Sequence, residues 1–312
     1  MPLPTQNDVH ADRPLTSFSV RYMNNAADYV ADRAFPIVQV GNKSDSYYVF
    51  TASYWFRDEM QRRAPGNPYP FGGYGVSTDT YNCEQFALAK DIPDEIRANT
   101  DDPMNPDREA AEFLAQKALI RREKAFADAF MAASVWSTDN TTATNWDDSS
   151  GVPISDIQAA RRTIKNASGM TANTLVMGKI VHDALVLNKQ ITDKVQYVRQ
   201  ALPREIAGIL AAALDIERVL VSDVVYETAA EGGTSDLAPI IDDDALLIYV
   251  PSAPSIYSAA AGLTMVWGGG GGMGEVQRVR DDMNDRDVAK FKMAFDQKQV
   301  AADLGYFFSD IV

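Results

Sequence analysis

With 312 residues, 46% of them apolar, the chain can bury about 70–75% of its extended surface, and its length suggests about two domains. A charged fraction of 23% and an aromatic fraction of 10% are ordinary for a folded protein and exclude wholesale disorder. The net charge is −14, and the densest basic stretches, Arg62-Arg63 and Lys117 to Lys124, sit among acids. Tight DNA binding, which needs a basic surface, is therefore disfavoured, although an acidic wall can enclose DNA without touching it. The single cysteine, Cys83, excludes an intrachain disulfide and a cysteine-based zinc cluster. No basic-then-apolar segment opens the chain and no run of roughly 18 apolar residues occurs. The expectation is a soluble protein of a reducing compartment.

In chain order, residues 1–35 carry Pro2, Pro4 and Pro14 and only weak periodicity, which predicts an extended arm with a short helix over 24–33. Residues 36–56 and 76–92 are rich in β-branched and aromatic residues and read as strands. Between them, 57–75 hold three prolines and four glycines. Together they predict a long hairpin, which needs a neighbour to be stable. Residues 105–133 give the clearest helix. Asn105 suits the N-cap and Pro106 the first helical position. Acids (Asp107, Glu109, Glu112) precede bases (Lys117, Arg121, Arg122, Lys124), as the helix dipole prefers. Its apolar residues fall on two sides: Ala110, Phe113, Leu114, Ile120 and Ala127 on one, Leu119, Phe126 and Phe130 on the other. A surface helix normally has a single stripe, so packing on both sides is expected.

Residues 137–153 read as a polar loop and 154–167 as a second helix. From 172 to 262 helix and strand signals alternate: strands at 174–177, 218–222 and 245–250, helices near 179–187 and 204–214. That is the pattern of a mixed α/β module. Residues 263–267 lead into Gly268, Gly269, Gly270, Gly271 and Gly272. A final region alternates apolar and polar residues with a period of two through Phe291, Met293, Phe295, Val300, Leu304, Tyr306 and Phe308. No internal repeat is present.

Residues that could carry chemistry do not converge. His10 lies in the arm, and His182 beside Asp183 in a predicted helix. A functional pair would need a positioned nucleophile, and no G-x-S-x-G elbow exists. Gly269, Gly271 and Gly274 match the dinucleotide fingerprint literally, but that motif needs a helix after it and a second strand with an acid. The alternating sequence that follows predicts strands, so the glycine run is expected to be a flexible loop or hinge. Asp242-Asp243-Asp244, Asp101-Asp102 and Asp281-Asp282 lack EF-hand spacing and read as solvated turns, with a divalent cation at a subunit contact as the second reading. No catalytic, cofactor-binding or metal-ligating residue is assigned, and an enzyme is not expected.

The stretches VGNKSDSYYVF, WFRDE, RRAPG, GGYGVSTDTY, ALAKDIPDEIRAN and DPMNPDREAAEFLAQKALIRREKAFADAFM, within 36–133, resemble tailed-bacteriophage major capsid proteins. GLTMVW at 262–267 and the alternating C-terminal strands resemble them more faintly. The resemblance implies an α+β protein with the Hong Kong-type capsid fold. Its parts would be an N-terminal arm (1–45), an extended β-hairpin loop (46–92), a peripheral domain (93–171 and 263–312) with a spine helix at 106–133, and an axial domain (172–262). It implies a shell subunit forming hexamers and pentamers in an icosahedral capsid around double-stranded DNA, without sequence-specific DNA contact, cofactor or membrane. The cellular nanocompartment shells of the same fold are the alternative. In such a shell the loop lies over a neighbour's spine helix. Arg57, Arg62, Arg63, Tyr69, Phe71 and Tyr74 at the tip, of types enriched at interface hot spots, and Leu119, Phe126 and Phe130 on the spine are then the candidate inter-subunit contacts. A solvated loop is the plainer alternative for the tip.

Some relatives carry a helical scaffolding extension. The arm here opens at Met1 without one, so a separate scaffolding protein is expected, with a portal and room for a decoration protein. Some relatives also cross-link a loop lysine to a neighbour's asparagine. Residues 57–75 hold no lysine, and no such linkage is expected. The expected location is the virion, after assembly in the host cytoplasm.

Overall fold

The computed structural model describes residues 24–50, 52–100, 105–141, 144–195, 206–255 and 258–312. The arm up to residue 23, His10 and the pair Asp101-Asp102 lie outside the described residues. After a 3-10 turn at Ala26–Asp28 come helix α1 (Ala31–Ala34), strands β1 (Ile37–Val40) and β2 (Ser44–Phe50), helix α2 (Ala52–Trp55), and strands β3 (Val76–Asn82) and β4 (Glu84–Pro93). Then follow α3 (Asp94–Ala98), the spine α4 (Pro106–Phe130), β5 (Asp139–Thr141), α5 (Pro153–Ser168), β6 (Thr174–Gly178), α6 (Lys179–Leu187), α7 (Lys189–Val195) and α8 (Ile206–Leu214). The chain closes with β7 (Arg218–Ser222), β8 (Val225–Glu227), β9 (Leu237–Pro239), β10 (Ala245–Ile248), β11 (Gly262–Trp267), β12 (Glu275–Asp281), β13 (Arg286–Gln299) and β14 (Gly305–Ser309).

Two five-stranded sheets organise these elements. In the first, β13 is the long central strand. At Phe291 its partners are Leu88 of β4 and Val276 of β12; at Phe295 they are Glu84 of β4 and Val266 of β11. Thus β4 takes one edge, while β11 and β12 take successive stretches of the other. β1 adds to β11 in parallel. The second sheet has the order β5-β14-β10-β6-β7. Its strands read as continuous apolar runs because both faces are covered: all four residues of β10 and all five of β6 are buried. Trp146, Ile157, Ile164, Leu175, Met177, Phe307 and Phe308 fill the core on it.

The spine starts as the sequence predicts. Asn105 accepts hydrogen bonds from the N–H groups of Asp107 and Arg108, and Pro106 follows. It ends at Phe130 rather than 133, because Trp136 Nε1 turns back to donate to the Phe130 carbonyl at 2.9 Å and Ser134 takes a positive φ of 67°. Both apolar faces are occupied within the chain. Ala110, Leu114 and Ala118 pack on β4 and β13 through Ile92, Ala289 and Met293. Phe126 and Phe130 close on Phe35, with ring centroids 5.1 and 4.6 Å apart.

Three expectations change. The hairpin over 46–92 is shorter. β2 pairs with β3 from Ser44↔Asn82 to Phe50↔Val76, but beyond Cys83 the strand changes partner and joins β13. The switch is fixed by Cys83 N–H to the Lys43 carbonyl (2.8 Å) and Asn82 N–H to Asp296 Oδ2 (2.9 Å). The glycine run is a turn inside the first sheet rather than a flexible hinge between domains. It bulges between β11 and β12, and Gly272 O accepts from Ala294 N at 2.9 Å. Gly271 and Gly274 have φ of 110° and 105°, and a Cβ on Gly274 would fall on the Phe291 ring. Finally, the second sheet is not confined to 172–262: it takes in β5 and β14 from outside that range, β14 pairing along the edge of β10 opposite β6 and β5 along β14.

Candidate functional site

The tip of the extended loop is the most exposed apolar surface of the described residues. Met60 is 94% exposed, Tyr69 70% and Phe71 98%; Arg57, Arg62, Arg63 and Tyr74 are exposed as well. Between residues 57 and 75 stand Arg57, Arg62 and Arg63 against Asp58 and Glu59, a net +1 on a chain of −14. The loop is locally built. The rings of Trp55 and Tyr74 lie 5.5 Å apart across its neck. The Arg57 guanidinium lies 5.5 Å from the Tyr54 ring centre and that of Arg63 4.1 Å from Tyr69. Exposed apolar patches of this kind mark interaction surfaces.

The spine candidates separate. Leu119 is half-buried, whereas Phe126 and Phe130 are buried in the chain's own core. These two do not belong among inter-subunit contacts; their stripe faces α1 and Phe35. A groove of about 610 Å³ does open between β4, α3 and the start of the spine, lined by Ile92, Ile96, Phe113 and Glu109 among others.

Sequence reasoning missed Glu123. It is 1% exposed and accepts from Val30 N–H (3.0 Å), Ala31 N–H (2.9 Å) and Ser222 Oγ–H (3.0 Å). One spine carboxylate thus caps α1 and ties it to the end of β7. Burial pushes its carboxyl up, against the pull of those hydrogen bonds. Between Arg122 and Lys124 it looks like a surface charge. The one available signal is its spacing: 119, 123, 126 and 130 share a helix face. Also missed was an ion network at the outer end of the first sheet. Asp287, with a side chain 5% exposed, bonds Arg278 and Arg97, the latter at 2.7 Å. Arg97 reaches Asp107 at the spine N-terminus (2.8 Å), and Arg280 bonds both oxygens of Asp94 at 2.7 Å. The Arg278 hydrogen bond, then Arg97, holds the Asp287 carboxyl below the usual carboxylate range.

Groups with chemical potential are placed for packing. His182 Nδ1 lies 3.1 Å from Asp183, which also takes Lys179 at 2.7 Å, on the surface of α6. Cys83 is fully buried, Sγ 3.5 Å from the Met265 carbonyl, and burial pushes its thiol up to about 11, which disfavours the thiolate. Gly274 leads into a strand, so the dinucleotide fingerprint lacks its helix. Of Asp242, Asp243 and Asp244, the latter two gather with Asp310, their oxygens within 4.8 Å. Burial, and then the neighbouring acids, raise Asp244 to about 6. Asp281 turns inward to Arg286 at 3.0 Å, whereas Asp282 is exposed.

No protein-family model matches the chain. A curated relative, the major capsid protein of Burkholderia phage BcepMu, is 21% identical over 249 residues, covering 77% of this chain and 76% of that protein. A phage-related protein from Bordetella bronchiseptica RB50 superposes with a TM-score of 0.71 at 17% identity, over 92% of this chain and 94% of the other. The capsid protein of cyanophage P-SCSP1u gives 0.63 at 11% identity, over 95% and 92%. The fold is that of the tailed-phage major capsid proteins. The same capsid fold extends to a holo-SrpI encapsulin from Synechococcus elongatus PCC 7942, with a TM-score of 0.56 at 11% identity, over 100% and 96%.

Proposed function

We propose that this chain is the structural subunit of a viral capsid, assembling as hexamers and pentamers into an icosahedral shell around double-stranded DNA, and that it is not an enzyme. The observation that carries the proposal is the tip: a pre-built, net-positive, aromatic surface left bare on an acidic chain whose fold is that of capsid proteins. Such a surface fits another copy of the same chain. Arg and Tyr anchors at a desolvated contact dominate binding energy, and the acidic body supplies the complementary field. The groove beside Ile96 and Phe113 is the acceptor we assign on the neighbour. The sheet of β6, β7, β10 and β14 with α5–α8 serves as the axial domain, and the β13 sheet with the spine as the peripheral domain.

A separate scaffolding protein and a portal complete the assembly, with a decoration protein as a further outer partner. DNA is enclosed without sequence-specific contact, which suits the charge of −14. The product is the virion capsid, assembled in the host cytoplasm. Electron microscopy of the purified chain tests the reading: closed shells or capsomers are expected, and a small globular particle would sink it. Charge reversal at Arg62 and Arg63 should abolish shells while leaving the far-UV circular dichroism unchanged. The encapsulin likeness favours one second reading, a cellular nanocompartment shell. A cargo enzyme encoded beside the gene would support it, whereas portal and terminase genes would support the capsid.

A further inference from the structure

We propose that Phe56 and Gly169 form an intrachain brace that holds the extended-loop tip at a set angle and presents it, already oriented, to a neighbouring copy. This deepens, and rests on, the docking role proposed for the tip. α5 ends in a left-handed cap at Gly169, φ 74°, whose N–H donates to the Lys165 carbonyl at 2.9 Å. Lys165 Nζ donates back to the Gly169 carbonyl at 2.7 Å, so this helix end is firmly closed. The edge of the Phe56 ring rests on it. A Cβ at position 169 would fall 2.5 Å from Cζ and 3.0 Å from Cε1, so a side chain there would displace the ring, which is 67% exposed on its other sides.

The neck of the loop is pinned beside that contact. Trp55 packs on Tyr74, and the Tyr54 ring lies so close to Gly75 that a Cβ there would be 2.9 Å from Cε2. The two branches are therefore joined to each other and, through Phe56, to α5. The brace does not hide the docking residues, since Met60, Tyr69 and Phe71 stay 70–98% exposed with the contact in place. It is thus a presenting device rather than an inhibitory one. Freedom given up before association is not lost again during it, which is how preorganisation strengthens binding.

The test compares Phe56→Ala, Phe56→Leu and the Arg62→Glu/Arg63→Glu double variant as full-length chains. Amide hydrogen exchange over residues 52–60 is measured before assembly, thermal unfolding alongside it, and assembly rate by light scattering. Phe56→Ala should exchange several-fold faster in that segment, keep the parent unfolding temperature, and assemble about tenfold more slowly, equivalent to ~1.4 kcal/mol. Phe56→Leu should recover most of both effects. Unchanged exchange in Phe56→Ala would overturn the brace, and faster exchange with parent-like assembly would overturn its presenting role. The double variant separates the two proposals: it should exchange like the parent yet fail to assemble. If it assembles normally, tip docking fails, while the exchange result still decides the brace.

Discussion

Glu123 shows how much one side chain can join. Its carboxylate satisfies two N–H groups at the start of α1, where Val30 offers no side-chain cap, and the hydroxyl of Ser222 at the end of β7. Glu123→Ala leaves those donors buried and unpaired, and should cost about 3 kcal/mol, read as a lower denaturation midpoint. Asp244 offers a pH-dependent counterpart. Its folded value of about 6 stands above the ordinary 3.8 because burial, and then Asp243, Asp310 and Asp242, disfavour the charge. A raised acid contributes stability that is present below pH ~3.8 and lost as pH rises through ~6. Asp244→Asn should therefore stabilise the fold by on the order of 1 kcal/mol at pH 7.5, after allowance for solvent screening, and the gain should vanish near pH 4. Thermal unfolding of both proteins across that range checks it.

Elements are aimed as well as formed. The spine, 25 residues long and about 37 Å at 1.5 Å per residue, passes from the β13 sheet at its start to α1 and Phe35 at its end. Over its second half the two sides are used together: Ala118 and Ala125 pack on the β13 sheet while Gln116, Glu123 and Phe126 face Tyr29, α1 and Phe35. At the outer end, the ions around Asp287 fasten the β12–β13 hairpin to α3 and to the spine N-terminus. The lowered folded value of Asp287 means its contribution is present above the ordinary carboxylate range and lost as pH falls below ~4. Asp287→Asn should speed hydrogen exchange over 275–292 at pH 7 and leave β6, β7 and β10 protected. The difference from the parent should narrow as pH falls below the ordinary carboxylate range; uniform loss of protection would show that the network does not act locally. The glycine turn belongs at this scale too. Its left-handed residues let β11 and β12 share one edge of β13.

At the scale of the whole molecule, a net-positive aromatic tip stands on a chain whose net charge is −14, and the proposed docking brings it against the acidic surface of another copy. Contacts of that kind are screened by salt, so shells should assemble more slowly as ionic strength rises. Residues 57–75 contain no lysine, so on denaturing gels of mature particles this chain should run without a ladder of cross-linked multiples above 34.2 kDa.

The capped spine, the apolar strands expected at 174–177 and 245–250 (found at Thr174–Gly178 and Ala245–Ile248) and the protruding loop were legible, because each rests on local signals: cap chemistry, apolar runs and Pro/Gly composition; the α+β class came from the resemblance of residues 36–133. The tip was legible as a composition, not as a braced object. What the sequence by itself determined is therefore the main helices and strands, while short elements such as β5, inside the stretch 137–153 expected to be a polar loop, and the β8–β9 pair escaped it. The tertiary structure alone decided partner and place: that β4 leaves the hairpin for β13, that Phe126 and Phe130 turn into the chain's own core, that Glu123 is buried, and that Phe56 meets Gly169. Each joins residues far apart in the chain, and local propensity carries no information about which distant surface a face will meet.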